Sequence, residues 1–185
     1  MKKLHKGIII TSKVFEIGYW IMTAIFVIGV FVAINSGFND FSGNEMSEIS
    51  IHGFSISLLD ANNNKIKGSF ITAFIAAFIS SGLFAMIFRN INLIFRTAEG
   101  KTKFSKGETP FQKDNVRMIR EIGYFCIAIP VIQLIISVIA KIAIGFDTVE
   151  TSVEMSTLVI GFVVLCLSQF FSYGMKLESD VEGLV

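Results

Sequence analysis

The sequence predicts an all-α integral membrane protein, a four-transmembrane-helix bundle with a small extracytoplasmic β-hairpin or strand-containing loop. Three observations carry that reading. The 185-residue chain is 52% hydrophobic and only 17% charged, with a mean hydropathy of +0.66. Four runs, Ile17–Ile34, Phe70–Phe88, Ile122–Ala140 and Met155–Met175, contain no Asp, Glu, Lys or Arg. Lysine and arginine are crowded into alternate connecting segments. Soluble domains carry about 25% charged residues, so this surface needs a covering other than water. The same composition excludes a disordered tail, a disulfide scaffold and a basic protein that coats nucleic acid, since 16 basic side chains face 15 acidic ones.

The whole chain, 1–185, reads as one membrane domain with spans of 18, 19, 19 and 21 residues. At about 1.5 Å per residue they make helices of roughly 27 to 32 Å, the thickness of the hydrocarbon layer. Backbone groups in lipid must bond within their own segment, so helices are the expected form. Thirteen of the 16 basic residues fall in 1–16, 89–121 and the tail. The opposite segments hold Lys65, Lys67 and Lys141 against seven acidic residues. Because basic loops resist export, both termini are expected in the cytoplasm of a bacterial cell, with a multi-pass chain in its cytoplasmic membrane. The first span is too long for a signal core and lacks a small-x-small cleavage site, so it is read as a retained anchor.

Each span has its own internal logic. In the second, Ser69, Ala73, Ala77, Ser81 and Ala85 repeat at a spacing of four. Four residues turn a helix by about 400°, which leaves a slowly winding small-residue seam where another helix approaches closely. Packing within the chain is the first reading and a homodimer seam the second. In the third span Pro130 removes a backbone donor opposite the Cys126 carbonyl and is expected to kink the helix. Gln133 lies one turn on. A kink beside an amide is either a helix-to-helix hydrogen bond or a polar path. Cys126 and Cys166 lie within spans and read as apolar filler.

The connecting segments carry the remaining signals. Residues 35–69 form the outer loop, where Ile49, Ile51, Phe54, Ile56 and Leu58 alternate, Gly53 breaks register and Asn62, Asn63 and Asn64 offer a turn. Short strands that cap the bundle are expected there. The inner loop, 89–121, has eight basic and four acidic residues. Asn90–Ala98 should prolong the second helix, Gly100–Gly107 should turn, and Pro110 should open a helix into the third span. On that helix Lys113, Arg117 and Arg120 share one face, while Val116, Ile119 and Gly123 mark another. The basic face suits anionic headgroups, with a cytoplasmic protein as the next candidate and no direct nucleic-acid contact. Glu16 and Lys141, at span edges, read as interfacial anchors.

Catalytic chemistry is not expected. Ionisable groups inside the spans are wanting, His5 and His52 fall on opposite sides of the predicted topology, and no HExxH, GxSxG or phosphate-loop pattern occurs. No metal, cofactor or catalytic residue is assigned.

The stretch KGETPFQKDNVRMIREIGYFCIAIPVI (Lys106–Ile132) resembles the signature of bacterial domain-of-unknown-function family 2975, small four-span membrane proteins. LSQFFSYGMKLESDVEGLV (Leu167–Val185) is similar to that family's closing pattern. Gln112 stands where the family commonly has Thr, and Glu182, Gly183, Leu184 and Val185 depart from its usual ending. Family members often occur beside a small helix-turn-helix regulator of the Cro/C1 type. The resemblance therefore implies a non-enzymatic regulatory or sensing protein paired with such a regulator. Lys113, Arg117, Arg120, Glu178, Asp180 and Glu182 are then the candidate contact surface. The alternatives are a small oligomeric transporter or efflux component, motivated by Pro130 and Gln133, and an immunity protein against membrane-active peptides.

Overall fold

The computed structural model describes residues 2–35, 48–51, 54–59, 66–103, 105, 109–151 and 154–182. Gly53, the Asn62–Asn64 turn, Lys106 and Gly107 at the end of the inner turn, and the last three residues lie outside the described residues, as does the Glu182 side chain. Four long helices dominate: α1 (Lys2–Asn35), α2 (Lys67–Ala98), α3 (Lys113–Ile144) and α4 (Met155–Glu182). All four are long and apolar enough to cross a membrane. At 34, 32, 32 and 28 residues each exceeds its uncharged run, reaching about 42 to 51 Å at 1.5 Å per residue. The helix expected from Pro110 begins at Lys113, three residues later. Pro130 is buried inside α3, which continues on both sides of it.

A sheet of three strands, β1 (Glu48–Ile51), β2 (Phe54–Ser57) and β3 (Val149–Thr151), runs antiparallel in the order β1-β2-β3. The first two strands are those expected of the loop before α2. The third comes from the α3–α4 connection and extends the expected hairpin, pairing Ile56 with Val149 and Ser55 with Glu150. Val149 and Thr151 are β-branched and alternate with Glu150, which suits a half-buried strand. Gly145 makes the turn from α3 possible, with a φ of 138° that a side chain would resist.

The chain divides into two compact units. Residues 20–82 and 128–155 make the sheet-containing unit, whose core joins the sheet to helices. Ile56, Leu58 and Val149 are at most 2% exposed and pack with Ala73 and Ala76 of α2 and Ala140 of α3. Small residues on α2 let the strand side chains reach the helix backbone. Ile66 N–H donates to Leu58 C=O at 2.9 Å, and Thr151 Oγ1 donates to Ser137 Oγ at 3.0 Å, fastening the sheet at two points. Phe74 lies across Gly29 of α1, where an added Cβ would stand 3.1 Å from the ring.

Residues 1–19, 83–127 and 156–185 make the other unit. Here α1 and α2 are joined by aromatic pairs at helical spacing: His5–Phe95, Phe15–Phe88 and Tyr19–Phe84, with ring centroids 5.6, 5.0 and 5.3 Å apart. Such pairs contribute about 0.5–1.5 kcal/mol each beyond their buried area. Helices α3 and α4 meet at two glycines. A Cβ on Gly161 would lie 3.0 Å from the Gly123 carbonyl oxygen and 3.1 Å from the Ile127 nitrogen, so the backbones nearly touch. Thirteen residues on, Gly174 faces the Phe111 ring, which also packs with Phe171 at 5.6 Å. Helix α4 therefore lies beside Gly123 and Ile127 of α3 and beside Phe111, just ahead of that helix.

Candidate functional site

The charged chemistry of the described residues gathers in the unit made by the start of α1, the end of α2 and the start of α3. The end of α2 is set by Gly100, whose φ of 73° closes the helix. Its N–H donates to Thr97 C=O at 3.1 Å, and Lys101 N–H donates to Arg96 C=O at 2.9 Å. This pair of bonds is a Schellman motif, which satisfies the last helical carbonyls and favours glycine at the left-handed position. Arg96 in the last turn complements the negative end of the helix dipole. Thr97 and Thr102 hydroxyls meet at 2.8 Å, and Ser105 Oγ donates to Thr97 C=O at 3.0 Å, so the chain after α2 is held back against the helix end. Lys101 Nζ reaches Glu99 Oε2 at 2.6 Å, which holds the Glu99 carboxyl below the usual carboxylate range.

Beside this turn, a cavity of about 740 Å³ is lined by His5, Lys6, Ile9, Arg96, Glu99 and Lys101, among others. A smaller groove of about 310 Å³ shares Ile9, Ile10 and Arg96 with it and is also lined by Lys13, Val14 and Ile17 of α1. The helices flanking these spaces are tied by Asn92, whose Nδ2 donates to Ile9 C=O at 2.8 Å and to Ser12 Oγ at 3.3 Å.

The start of α3 is built differently. Gln112 Nε2 donates back to Thr109 C=O at 2.8 Å and Asn115 Nδ2 to Pro110 C=O at 3.0 Å. Two amides thus tie the Thr109–Pro110 turn to the first turn of the helix, where Asp114 faces the positive end of its dipole. Asn115 is fully buried, and its Oδ1 has no hydrogen-bond partner among the described residues. Val116, Met118, Ile119 and Ile122 are buried, while Lys113 and Arg117 are exposed and Arg120 is half-buried. Arg117 Nε pairs with Glu121 Oε1 at 3.2 Å, and Asn90 Nδ2 of α2 donates to Glu121 Oε2 at 3.0 Å. Glu121 thereby links the basic face of α3 to α2. A small cavity of about 200 Å³ lies there, with Arg89, Asp114 and Arg117 on its walls.

The other residues singled out from the sequence are distributed as follows. Glu178 is half-buried and Asp180 exposed in the last turns of α4. Among the described residues no ion pair joins them to Lys113, Arg117 or Arg120. The seam residues Ser69, Ala73, Ala77, Ser81 and Ala85 are all buried within the single chain, none more than 7% exposed. Gln133 is buried too. Its Nε2 donates to Ser80 Oγ and to Ala76 C=O of α2, a helix-to-helix bond within the sheet-containing unit. Glu16, read as an interfacial anchor, is buried within the chain, and Lys13 Nζ donates to its carboxylate at 3.0 Å. Pairing with a lysine one turn earlier on α1 removes the need for water.

Sequence reading overlooked Asn90, Asn92 and Asn115, the three asparagines that join segments in this unit. Lone amides within an apolar helix carry a signal, because polar groups there seek partners across helices, but the sequence does not say which partner. No family model, curated protein or solved structure matches the chain.

Proposed function

We propose that the protein is a multi-pass protein of the bacterial cytoplasmic membrane, with both termini in the cytoplasm, that acts without catalysis as a regulatory or sensing element. The observation that carries this reading is the division of the first two turns of α3. Val116, Met118 and Ile119 are buried, whereas Lys113 and Arg117 project from the opposite face. That face is charged and backed by a buried apolar one, as suits a docking surface for a small cytoplasmic protein. The Arg117–Glu121 pair is no obstacle, because exposed ion pairs contribute only about 0–1 kcal/mol and exchange partners readily. The resemblance to family 2975 supplies the partner's class, a helix-turn-helix regulator of the Cro/C1 type. Glu178, Asp180 and Glu182 extend the candidate surface with acidic groups.

Co-purification from detergent with the regulator encoded next to the gene tests the reading. Retention of the regulator, reduced at least about tenfold by Lys113→Glu, Arg117→Glu and Arg120→Glu together, is expected from reversing a charged contact. Equal retention by wild type and triple variant, or no retention by either, contradicts it.

A further inference from the structure

We infer that the cavity beside the end of α2, together with the adjoining groove along α1, is a site for one anionic phospholipid. Its phosphate head sits among Lys6, Arg96 and Lys101, and one acyl chain runs past Ile10, Val14 and Ile17. The inference rests on the membrane reading above. It involves neither the basic face of α3 nor the tail.

Two features point to a lipid rather than a soluble anion. The first is the chemistry of the wider space, which at about 740 Å³ is lined, among the described residues, by the cations Lys6, Arg96 and Lys101 together with His5 and one carboxylate, Glu99. That carboxylate is engaged by Lys101 at 2.6 Å, so Lys6 and Arg96 dominate the local charge. Arginine offers a planar fork to phosphate oxygens and lysine a mobile point charge, a combination suited to a headgroup phosphate. The second feature is adjacency. Ile9, Ile10 and Arg96 line both spaces, so the cationic end adjoins a groove whose other described walls are apolar apart from Lys13 and Asn92. Lys13 is occupied with Glu16 and Asn92 with Ile9 and Ser12. Ile10, Val14 and Ile17 are about half exposed or more, forming a wall that a hydrocarbon chain would cover. From Ile9 to Ile17 the groove follows α1 for about 12 Å at 1.5 Å per residue. A free phosphate would use only the charged end and leave this wall bare.

Native mass spectrometry of the full-length protein in detergent, with palmitoyl-oleoyl phosphatidylglycerol and the matching phosphatidylcholine as competing probes, tests the site. The wild type should retain phosphatidylglycerol about tenfold over phosphatidylcholine, as a few basic groups at a headgroup would give. Arg96→Gln with Lys101→Gln should bring the ratio near one, and Lys176→Gln, a cation on α4 outside the site, should leave it unchanged. Val14→Trp, which fills the groove and keeps the charges, should lower phosphatidylglycerol retention severalfold. Equal retention of the two lipids by the wild type, an unchanged ratio in the double variant, or full retention in Val14→Trp overturns the proposal. Displacement of the lipid by glycerol 3-phosphate at equal concentration also overturns it, assigning the cavity to a soluble phosphate. An alkaline wash of membranes separates the two levels of inference. Wild-type protein that stays in the pellet without lipid preference refutes the site alone, whereas protein washed into the supernatant refutes the membrane reading as well.

Discussion

The unit holding the sheet and the unit holding the α2 terminus solve opposite problems. In the first, Ile56, Leu58 and Val149 fill the space above Ala73 and Ala76, and its buried amide, Gln133, bonds to the neighbouring helix. In the second, asparagines bridge helices, two glycines bring backbones together, and charged side chains surround open cavities. One unit is filled by packing, while the other keeps polar groups at accessible surfaces. Closely filled apolar cores tolerate little change, and ligands or partners bind where open space and a few polar groups coincide.

If the sheet unit is governed by packing, its core substitutions should have the largest effects on stability. Ile56→Ala empties a fully buried position and should cost about 2–5 kcal/mol, measured by chemical unfolding in mixed micelles, with little change in lipid or regulator retention. An effect below about 1 kcal/mol would mean that the sheet merely rests on α2. Next comes Gly161→Ala, whose Cβ would meet the Gly123 oxygen at 3.0 Å. Backbone cannot yield as a side-chain tip does, so overpacking of about 1–3 kcal/mol is expected, and adding Gly123→Ala should worsen it. Gly100→Ala should follow at about 1–2 kcal/mol, the cost of a left-handed residue with a Cβ, and should also loosen Lys101 beside the cavity.

The smallest effect concerns pH. Glu99 has its carboxyl held below the ordinary value by Lys101, so its pairing favours the folded form above the ordinary carboxylate range and is lost as pH falls through the depressed value. Carboxyl-carbon NMR should find the Glu99 midpoint below that of an ordinary glutamate, and Lys101→Gln should raise it. Because Lys101 is exposed, global stability should scarcely move. A Glu99 midpoint unaffected by Lys101→Gln would show that the contact does not persist in solution.

The legibility of the molecule followed the same division. Long uncharged runs made all four helices visible, since an apolar stretch of this length admits few other structures. Ile49, Ile51, Ile56 and Leu58 likewise announced the first two strands by alternation. The third strand was hidden because Val149–Thr151 is too short to show a period, and its pairing with β2 is a long-range contact. The face of α3 could be read from Lys113, Arg117 and Val116 by helical spacing alone. The cavity could not. Lys6 and Arg96 lie ninety positions apart, and each, taken singly, resembles a cation near a membrane surface. The partner of Glu16 was hidden for a related reason: a carboxylate near a span edge does not announce that Lys13, one turn earlier, pairs with it.

The central claim is that lipid surrounds the four helices and that α1 begins, and α4 ends, on the cytoplasmic side. Single-cysteine labelling of intact cells and inverted vesicles tests it most directly, in a background with Cys126 and Cys166 replaced by serine. A membrane-impermeant maleimide should modify cysteines at Lys3, Lys103 and Asp180 only from the cytoplasmic face, and one at Asp147 only from the outer face. Modification of Lys3 and Asp180 from opposite faces, or of Asp147 together with Lys103 from one face, would contradict the account.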